Sequence, residues 1–214
     1  MDSRVDLGPW FDNSHWQSCC NGPVPVGEAF VPEWMPAITA CVPLSSAHRM
    51  LLATDGSITK LLEAVCGRAI DARVLRQEDV PATPLVAEQL EAPVGHAVTL
   101  RLVKLCDAER VICVAGSLMA LDRLPPIVKE QLYTTTIPIG RVIVSSGVRA
   151  HRRSVSVDVA RPRAPLELFG PLADDRFLVR DSRLVTEGRI FAMIREYFPY
   201  SVFAYELAAA SVPR

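Results

Sequence analysis

The chain has 214 residues, half of them hydrophobic, and a formal net charge of −1. This length suits one domain with a sizeable core, and the near balance of 23 basic and 24 acidic side chains argues against a nucleic-acid-binding tract or a strongly charged membrane surface. No apolar run approaches the ~20 residues that span a bilayer, and residues 1–20 lack the basic start and apolar centre of a signal peptide. We therefore expect a soluble cytoplasmic protein without a membrane span.

The N-terminal residues 1–43 are rich in proline, glycine and tryptophan, and the prolines predict that no regular element forms there. Trp10, Trp16 and Trp34 are too many large aromatic residues for a disordered tail. We interpret this stretch as an irregular extension that wraps the domain and packs its indoles against it. Residues 44–214 then form the domain proper.

A helical pattern begins near Ser45, which can cap a helix that ends at about Thr54. Ser57 can cap a second helix, which Gly67 closes. Short helices are the most that the proline-rich stretches after residues 81, 125 and 138 permit. Strands are predicted at residues 69–77, 97–106, 110–121, 154–160, 177–186 and 189–199. Because most neighbouring strands are joined by hairpins, the fold class is α+β with an antiparallel sheet of about six strands.

Two predicted strands each carry one lone charge in an apolar row. Alternation over residues 189–199 places Glu196 on one face with Ile190, Ala192, Ile194 and Phe198. In the strand at 97–106, Arg101 shares a face with Thr99, Val103 and Leu105. A buried charge is costly unless it is paired. Either the two residues form a buried salt bridge, or Arg101 binds the carboxylate of an acidic ligand while Glu196 faces a hydroxyl or a proton in transfer.

Several common catalytic and binding motifs are missing from the sequence. It contains no glycine-rich dinucleotide fingerprint, no phosphate-binding loop and no serine nucleophile elbow. His48, His96 and His151 do not have metal-ligand spacing, and the cysteines form no Cys-x-x-Cys pair, so we expect free thiols and no metal site. The basic run of Arg149, His151, Arg152 and Arg153 is interpreted as a solvated strand edge.

Six segments occur together in an order and spacing that resemble the chorismate pyruvate-lyase family, most closely its actinobacterial branch. They are LLATDGSITK (51–60), LRLVKL (100–105), AGSLMALDRLP (115–125), PIGR (138–141), SRL (182–184) and REYF (195–198). The family releases pyruvate from chorismate and leaves 4-hydroxybenzoate. The resemblance covers residues 51–203 and leaves residues 1–43 without a counterpart.

The resemblance implies roles for individual residues. The carboxylate-binding arginine of the family falls on Arg101 and its active-site glutamate on Glu196, while main-chain contacts to the ligand map to Ile139 and Ile58. It also implies a cofactor-free monomer whose sheet is covered by helices and flap-like loops. We expect the pKa of Glu196 to be raised by its apolar row, so that it acts as general acid toward the departing ether oxygen. Ser117 stands where some members carry an arginine, which leaves the hydroxybenzoate isomer open.

Two other functions stay open at this point. Related folds serve as ligand-sensing domains of transcription regulators, so the chain could be a non-catalytic module that binds an aromatic acid. No helix-turn-helix pattern precedes residue 45, which counts against a sensor. The third possibility is a structural protein in which Arg101 and Glu196 only fix the strand register.

Overall fold

The predicted strands lie side by side in one antiparallel sheet. The computed structural model describes residues 11, 16–20, 22–26, 33–162, 166–172 and 174–204. The sheet has the strand order β1-β6-β7-β8-β5-β4-β3, and the short β2 pairs with β6. The strands are β1 (Trp16–Ser18), β2 (Val24–Pro25), β3 (Asp71–Pro81), β4 (Ala97–Asp107), β5 (Arg110–Met119), β6 (Ala150–Pro162), β7 (Phe177–Thr186) and β8 (Arg189–Pro199). The six long strands confirm the predicted antiparallel sheet, to which the N-terminal stretch adds two short ones.

Of the α-helices in the described part of the chain, three precede the first long strand, three lie in connections between long strands and one follows the last. They are α1 (Trp34–Cys41), α2 (Ser46–Ala53), α3 (Ile58–Cys66), α4 (Pro84–Leu90), α5 (Pro126–Thr134), α6 (Ile139–Ser146) and α7 (Tyr200–Phe203). The predicted caps are confirmed, because the side chains of Ser45 and Ser57 accept backbone N–H groups at the starts of α2 and α3. Gly67 ends α3 at φ +68°, a left-handed conformation that favours glycine.

The prediction that residues 1–43 contain no regular element is wrong for α1. Pro36 lies in the first turn of this helix, where an N–H group has no intrahelical acceptor, so the proline removes no hydrogen bond. Trp34 and Ile38 are fully buried and belong to the same core cluster as Leu51 and Phe198. Packing of an indole is thus confirmed for Trp34. Trp10 and the side chain of Trp16 lie outside the described residues.

The two faces of the sheet are covered by different parts of the chain. Helices α1, α2, α3, α5, α6 and α7 contribute to the core clusters on the face that carries Ile194 and Phe198. Helix α4 and Phe11 pack on the opposite face, with Leu100, Leu102 and Met193. Residues 192–198 of β8 alternate regularly between the two faces, so Glu196 lies on the same face as Ile194 and Phe198. This is the face that most of the helices cover.

A β-bulge at the start of β8 changes the predicted alternation. Leu184 pairs with Ala192 and Val185 pairs with Ile190, so Phe191 is an extra residue without a partner in β7. Phe191 therefore joins the cluster of Ala192 and Ile194, while Ile190 packs on the other face with Met193. The prediction that Ile190 shares a face with Glu196 is wrong, since a one-residue insertion reverses the direction of every side chain before it.

Phe11 closes the second face of the sheet over a glycine. It is 7% exposed, and a Cβ built on Gly116 would lie 3.2 Å from both Phe11 Cζ and Leu102 Cδ2. Glycine is therefore the residue that permits this close approach. Among the described residues of the N-terminal segment, Phe11 packs on this face, which is opposite to the face that carries Glu196.

We expect Phe11→Ala to lower the free energy of unfolding by about 3 kcal/mol, because it leaves a void above Gly116 and Leu102. Urea unfolding followed by tryptophan fluorescence measures the effect. Val94→Ala, at a side chain that is 66% exposed, is the control and should change stability by less than about 0.5 kcal/mol. An unchanged urea midpoint for Phe11→Ala would contradict the packing described for this face.

Candidate active site

One cavity brings together all four residues to which the sequence assigned a role. Arg101, Glu196, Ile58 and Ile139 lie in the wall of a cavity of about 60 Å³ between the sheet and the first turns of α3 and α6. The apolar part of the wall comes from the strands and consists of Val103, Leu105, Ala115 and Ile194.

Arg101 is a buried cation without a counter-ion among the described residues. Its side chain is on β4, and the residue is 1% exposed. Nη1 donates to Leu132 O at 3.3 Å, and Nη2 donates to Thr135 O at 2.9 Å and to Ile137 O at 3.0 Å. Nε is buried and has no partner in the described part of the chain. Burial lowers the pKa of Arg101. Because an uncompensated buried charge is costly, an anionic ligand would stabilise this arrangement.

Glu196 is a buried carboxylate held by two other arginines. Arg180 donates from Nε to Glu196 Oε2 at 3.0 Å, and Arg152 donates from Nη1 to both carboxylate oxygens at 3.1 and 3.2 Å. Arg180 is fully buried and also donates from Nη1 to the carbonyls of Leu51 and Thr54, at the end of α2. The carboxylate is therefore fixed in position from two sides.

A direct salt bridge between Arg101 and Glu196 is not formed, so that alternative is wrong. Arg101 faces Ser117 across β4 and β5, whereas Glu196 faces Ala115 across β5 and β8. The two residues are thus two strands apart and offset by two positions, which corresponds to about 12 Å between their backbones. With its cation and its carboxylate at separate places in the wall, the cavity can bind a ligand with an acid at one end and a hydroxyl at the other. A pair that merely fixes strand register is excluded for the same reason.

Two helix N-termini complete the cavity. Ile58 and Ile139 are the first residues of α3 and α6, and amides at this position have no intrahelical acceptor. Such amides attract anionic groups, an effect that the helix dipole increases. The two helices are tied together by an ion pair between Arg141 and Glu63. Gly140 also permits close contact with Ser57, because a Cβ at Gly140 would lie 3.2 Å from Ser57 Oγ.

The comparison with protein families identifies the kind of protein to which this cavity belongs. The model of the Rv2949c-like chorismate pyruvate-lyase family matches residues 52–206. The chain belongs to this family. The match begins near the end of α2 and includes every residue named above in the cavity wall. Membership indicates a carbon–oxygen lyase.

Similar curated proteins carry the same description. A chorismate pyruvate-lyase of Mycobacterium tuberculosis is 28% identical over 160 residues, which is 72% of this chain and 80% of the relative. A chorismate pyruvate-lyase of Mycobacterium leprae is 25% identical over 157 residues, 72% of this chain and 75% of the relative. Among solved structures, the effector domain of PhnF from Mycobacterium smegmatis is 18% identical with a TM-score of 0.57, and covers 69% of this chain and 91% of that domain. This last likeness concerns the fold alone.

Sequence reasoning missed the two arginines that hold Glu196 in this lyase-family cavity. Arg152 was assigned to a solvated strand edge, but its side chain is only 10% exposed and bonds Glu196 and Ser182. That interpretation is wrong because alternation along β6 separates Arg152 from its exposed neighbours His151 and Arg153. Arg180 is the one charge on its face of β7, in a row with Leu178 and Leu184, which is the same signal that singled out Arg101 and Glu196. That signal could have found it.

No disulfide bond joins any of the six cysteines, all of which lie in the described part of the chain. Cys106 and Cys113 are buried. Within the described ranges, no group of histidine, cysteine, aspartate and glutamate side chains is arranged to hold a metal ion. None of the helices described here has the length and apolarity needed to cross a bilayer.

The prediction that the pKa of Glu196 is raised is wrong. Burial by itself raises this pKa, but the attraction of Arg152 and Arg180 and their hydrogen bonds outweigh burial, and the pKa lies below its ordinary value of 4.5. Glu196 is therefore ionised at neutral pH and has no proton to donate. A role as general acid toward the ether oxygen does not fit the lyase-family cavity, whereas a role as hydrogen-bond acceptor does.

Ionised Glu196 should make stability depend on pH in a definite direction. Because its pKa is lower in the folded state, its contribution is complete above the ordinary value of 4.5 and is lost as pH falls through the folded-state pKa. The difference in unfolding free energy between the wild type and Glu196→Gln should therefore shrink as pH decreases from about 6 to about 3. Urea unfolding at several pH values measures it. A difference that grows toward acid pH would show that Glu196 is protonated in the native state.

Proposed function

We propose that the protein eliminates pyruvate from chorismate and leaves 4-hydroxybenzoate in the cavity between Arg101 and Glu196. The observation that carries this proposal is the buried guanidinium of Arg101, which has no counter-ion among the described residues and a free Nε donor. A ring carboxylate supplies both the missing negative charge and the acceptor for Nε.

Glu196 then contacts the other end of the ring. Its ionised carboxylate accepts a hydrogen bond from the ring hydroxyl, while Arg180 and Arg152 hold it in place. The amides of Ile58 and Ile139, at the starts of α3 and α6, provide further donors to the ligand. The separation of about 12 Å between the Arg101 and Glu196 backbones suits a ring with its carboxylate and hydroxyl at opposite positions, which supports the 4-hydroxy isomer over its positional isomers.

The reaction needs little chemistry from the protein. The carbon–oxygen bond to the enolpyruvyl group breaks, and the ring carbon that carries the hydroxyl loses its hydrogen. The electron pair of that carbon–hydrogen bond completes the aromatic ring, and the hydrogen ends on the methylene carbon, which becomes the methyl group of pyruvate. Since aromatisation drives this step, the protein has to orient the substrate and exclude water. Buried Arg101 and Glu196 orient it, and the apolar wall of Val103, Leu105 and Ile194 excludes water.

The enzyme acts as a cytoplasmic monomer, uses no cofactor, and comprises a lyase domain at residues 44–214 with residues 1–43 as an extension. Its 4-hydroxybenzoate supplies a specialised aromatic product.

The experiment is to mix the purified full chain with chorismate and to follow pyruvate and the aromatic product together. Pyruvate with 4-hydroxybenzoate in equal amounts supports the proposal, and an Arg101→Met variant controls for spontaneous breakdown of chorismate. Pyruvate with another hydroxybenzoate isomer would correct the product. Binding of 4-hydroxybenzoate without pyruvate release would instead support a sensor module. If the protein neither releases pyruvate nor binds 4-hydroxybenzoate, both functions are overturned.

A further inference from the structure

The buried charges around the cavity do not balance. Arg101, Arg152 and Arg180 are three guanidinium groups, and Glu196 is the one carboxylate that contacts any of them among the described residues. The single carboxylate neutralises one guanidinium, so two positive charges remain uncompensated. A hydroxybenzoate carries one negative charge and compensates only one of them. Chorismate carries a second carboxylate, on its enolpyruvyl arm, so the charge of the site matches the substrate better than the aromatic product.

Arg152 has donors to spare. Each of its hydrogen bonds, to Ser182 Oγ at 2.7 Å and to the two oxygens of Glu196, starts from Nη1. Nε and Nη2 of Arg152 make no hydrogen bond to the described residues. Neither nitrogen is among the fully buried side-chain atoms that lack a hydrogen-bond partner. Two adjacent N–H groups on one edge of a guanidinium match the geometry of a carboxylate. Arg180 lacks this freedom, because its nitrogens already bond Glu196, Leu51 O and Thr54 O.

Arg152 also stands between two cavities. Besides the inner cavity of about 60 Å³, it lines an outer cavity of about 290 Å³ between the loop of residues 55–57, α6 and β6. Ser57 and Gly140 are the other residues common to both walls. The outer cavity is the larger of the two, so a ring held between Arg101 and Glu196 leaves more room for its enolpyruvyl arm on the side of Arg152 and the outer cavity.

We propose that Arg152 binds the carboxylate of the enolpyruvyl arm through Nε and Nη2, and that this arm points into the outer cavity, through which pyruvate leaves. This assignment rests on the proposed function of the same site. It makes Arg152 the residue that distinguishes the dianionic substrate from the monoanionic aromatic product. Once the bond to the arm breaks, the carboxylate at Arg152 belongs to a separate small molecule next to an open cavity.

The test compares ligands with and without the second carboxylate on Arg152→Gln. We expect the KM for chorismate to rise about 10- to 100-fold and inhibition by pyruvate to disappear. The affinity for 4-hydroxybenzoate should change less than about threefold, because Arg180 still holds Glu196 ionised. Arg152→Lys keeps the charge without the paired donors and should fall between the wild type and Arg152→Gln. Arg153→Gln removes the exposed arginine next in the chain and should leave all three quantities unchanged.

A purely structural role for Arg152 gives a different pattern. If Arg152 only positions Glu196, then Arg152→Gln and Arg152→Lys weaken 4-hydroxybenzoate and chorismate by the same factor, and that result would overturn the assignment. Calorimetric titration measures the affinities for chorismate and for 4-hydroxybenzoate, and compares them without a turnover assay. Absence of pyruvate release by the wild type would overturn the proposed function, while the titrations would still show whether a second carboxylate is bound at Arg152.

Discussion

Replacement of Arg101 by methionine is expected to lower kcat/KM for chorismate by about 1000-fold or more and to weaken 4-hydroxybenzoate by a similar factor. The variant removes the buried positive charge and the free Nε donor while keeping much of the side-chain volume. Loss of a charge-assisted, desolvated contact costs about 3 kcal/mol or more, and a factor of 1000 corresponds to about 4 kcal/mol. Steady-state kinetics and calorimetric titration measure the two effects.

Stability gives a second readout of Arg101→Met. The carbonyls of Leu132, Thr135 and Ile137 lose their donor, so the free energy of unfolding should fall by about 1 to 3 kcal/mol. Arg76→Met, at an exposed arginine on the neighbouring strand β3, is the matched control and should be close to the wild type in both respects. A folded Arg101→Met variant with normal affinity for 4-hydroxybenzoate would contradict the role assigned to this residue.

Glu196→Gln should lower the free energy of unfolding by about 3 to 5 kcal/mol at neutral pH. The amide keeps the shape of the side chain but leaves the buried charges of Arg152 and Arg180 without a counter-ion. Urea unfolding compares this variant with Glu109→Gln, which removes a glutamate–arginine pair at the surface and should leave stability close to that of the wild type. Equal losses in the two variants would mean that the buried pairing of Glu196 is not stronger than a surface one.

Turnover by Glu196→Gln should fall by about 100-fold under conditions in which the variant is folded. An amide is a weaker acceptor for the ring hydroxyl than a carboxylate held by two arginines, and the unbalanced cations beside it add to the loss. Pyruvate release at saturating chorismate measures kcat. Wild-type kcat in folded Glu196→Gln would remove any chemical role for this carboxylate.

The parts of the fold that depend on local signals could be predicted from the sequence. Serine and glycine caps located α2 and α3, and hairpin turns linked β4 to β5 and β7 to β8. The lone charges Arg101 and Glu196 stood out because each interrupts an apolar row, and the alternation next to each charge holds in the structure, although the bulge turns Ile190 to the other face. These features depend on residues close together in the chain.

The features that could not be predicted depend on residues far apart. The bulge at Phe191 is visible only when β7 is paired with β8, since nothing within β8 requires an extra residue. The partners of Glu196 come from β6 and β7, so its pKa could not be assigned from the apolar row alone. The apolar row indicated burial correctly, but the direction of the pKa shift depends on two arginines that long-range pairing brings to the carboxylate.

The strand order implies that the site is assembled late in folding and lost early in unfolding. Strands β3, β4 and β5 form one meander and β6, β7 and β8 another, and in the described sheet these meanders pair through residues 114–119 and residues 192–197. Arg101 belongs to the first meander, whereas Arg152, Arg180 and Glu196 belong to the second. Pairing between distant segments carries a larger loop-closure entropy than a hairpin, so this junction forms after the hairpins on either side.

Partial opening of the junction separates the two ends of the ligand site while both meanders keep their own hydrogen bonds. Mild denaturation should therefore abolish activity before the circular dichroism of the sheet changes.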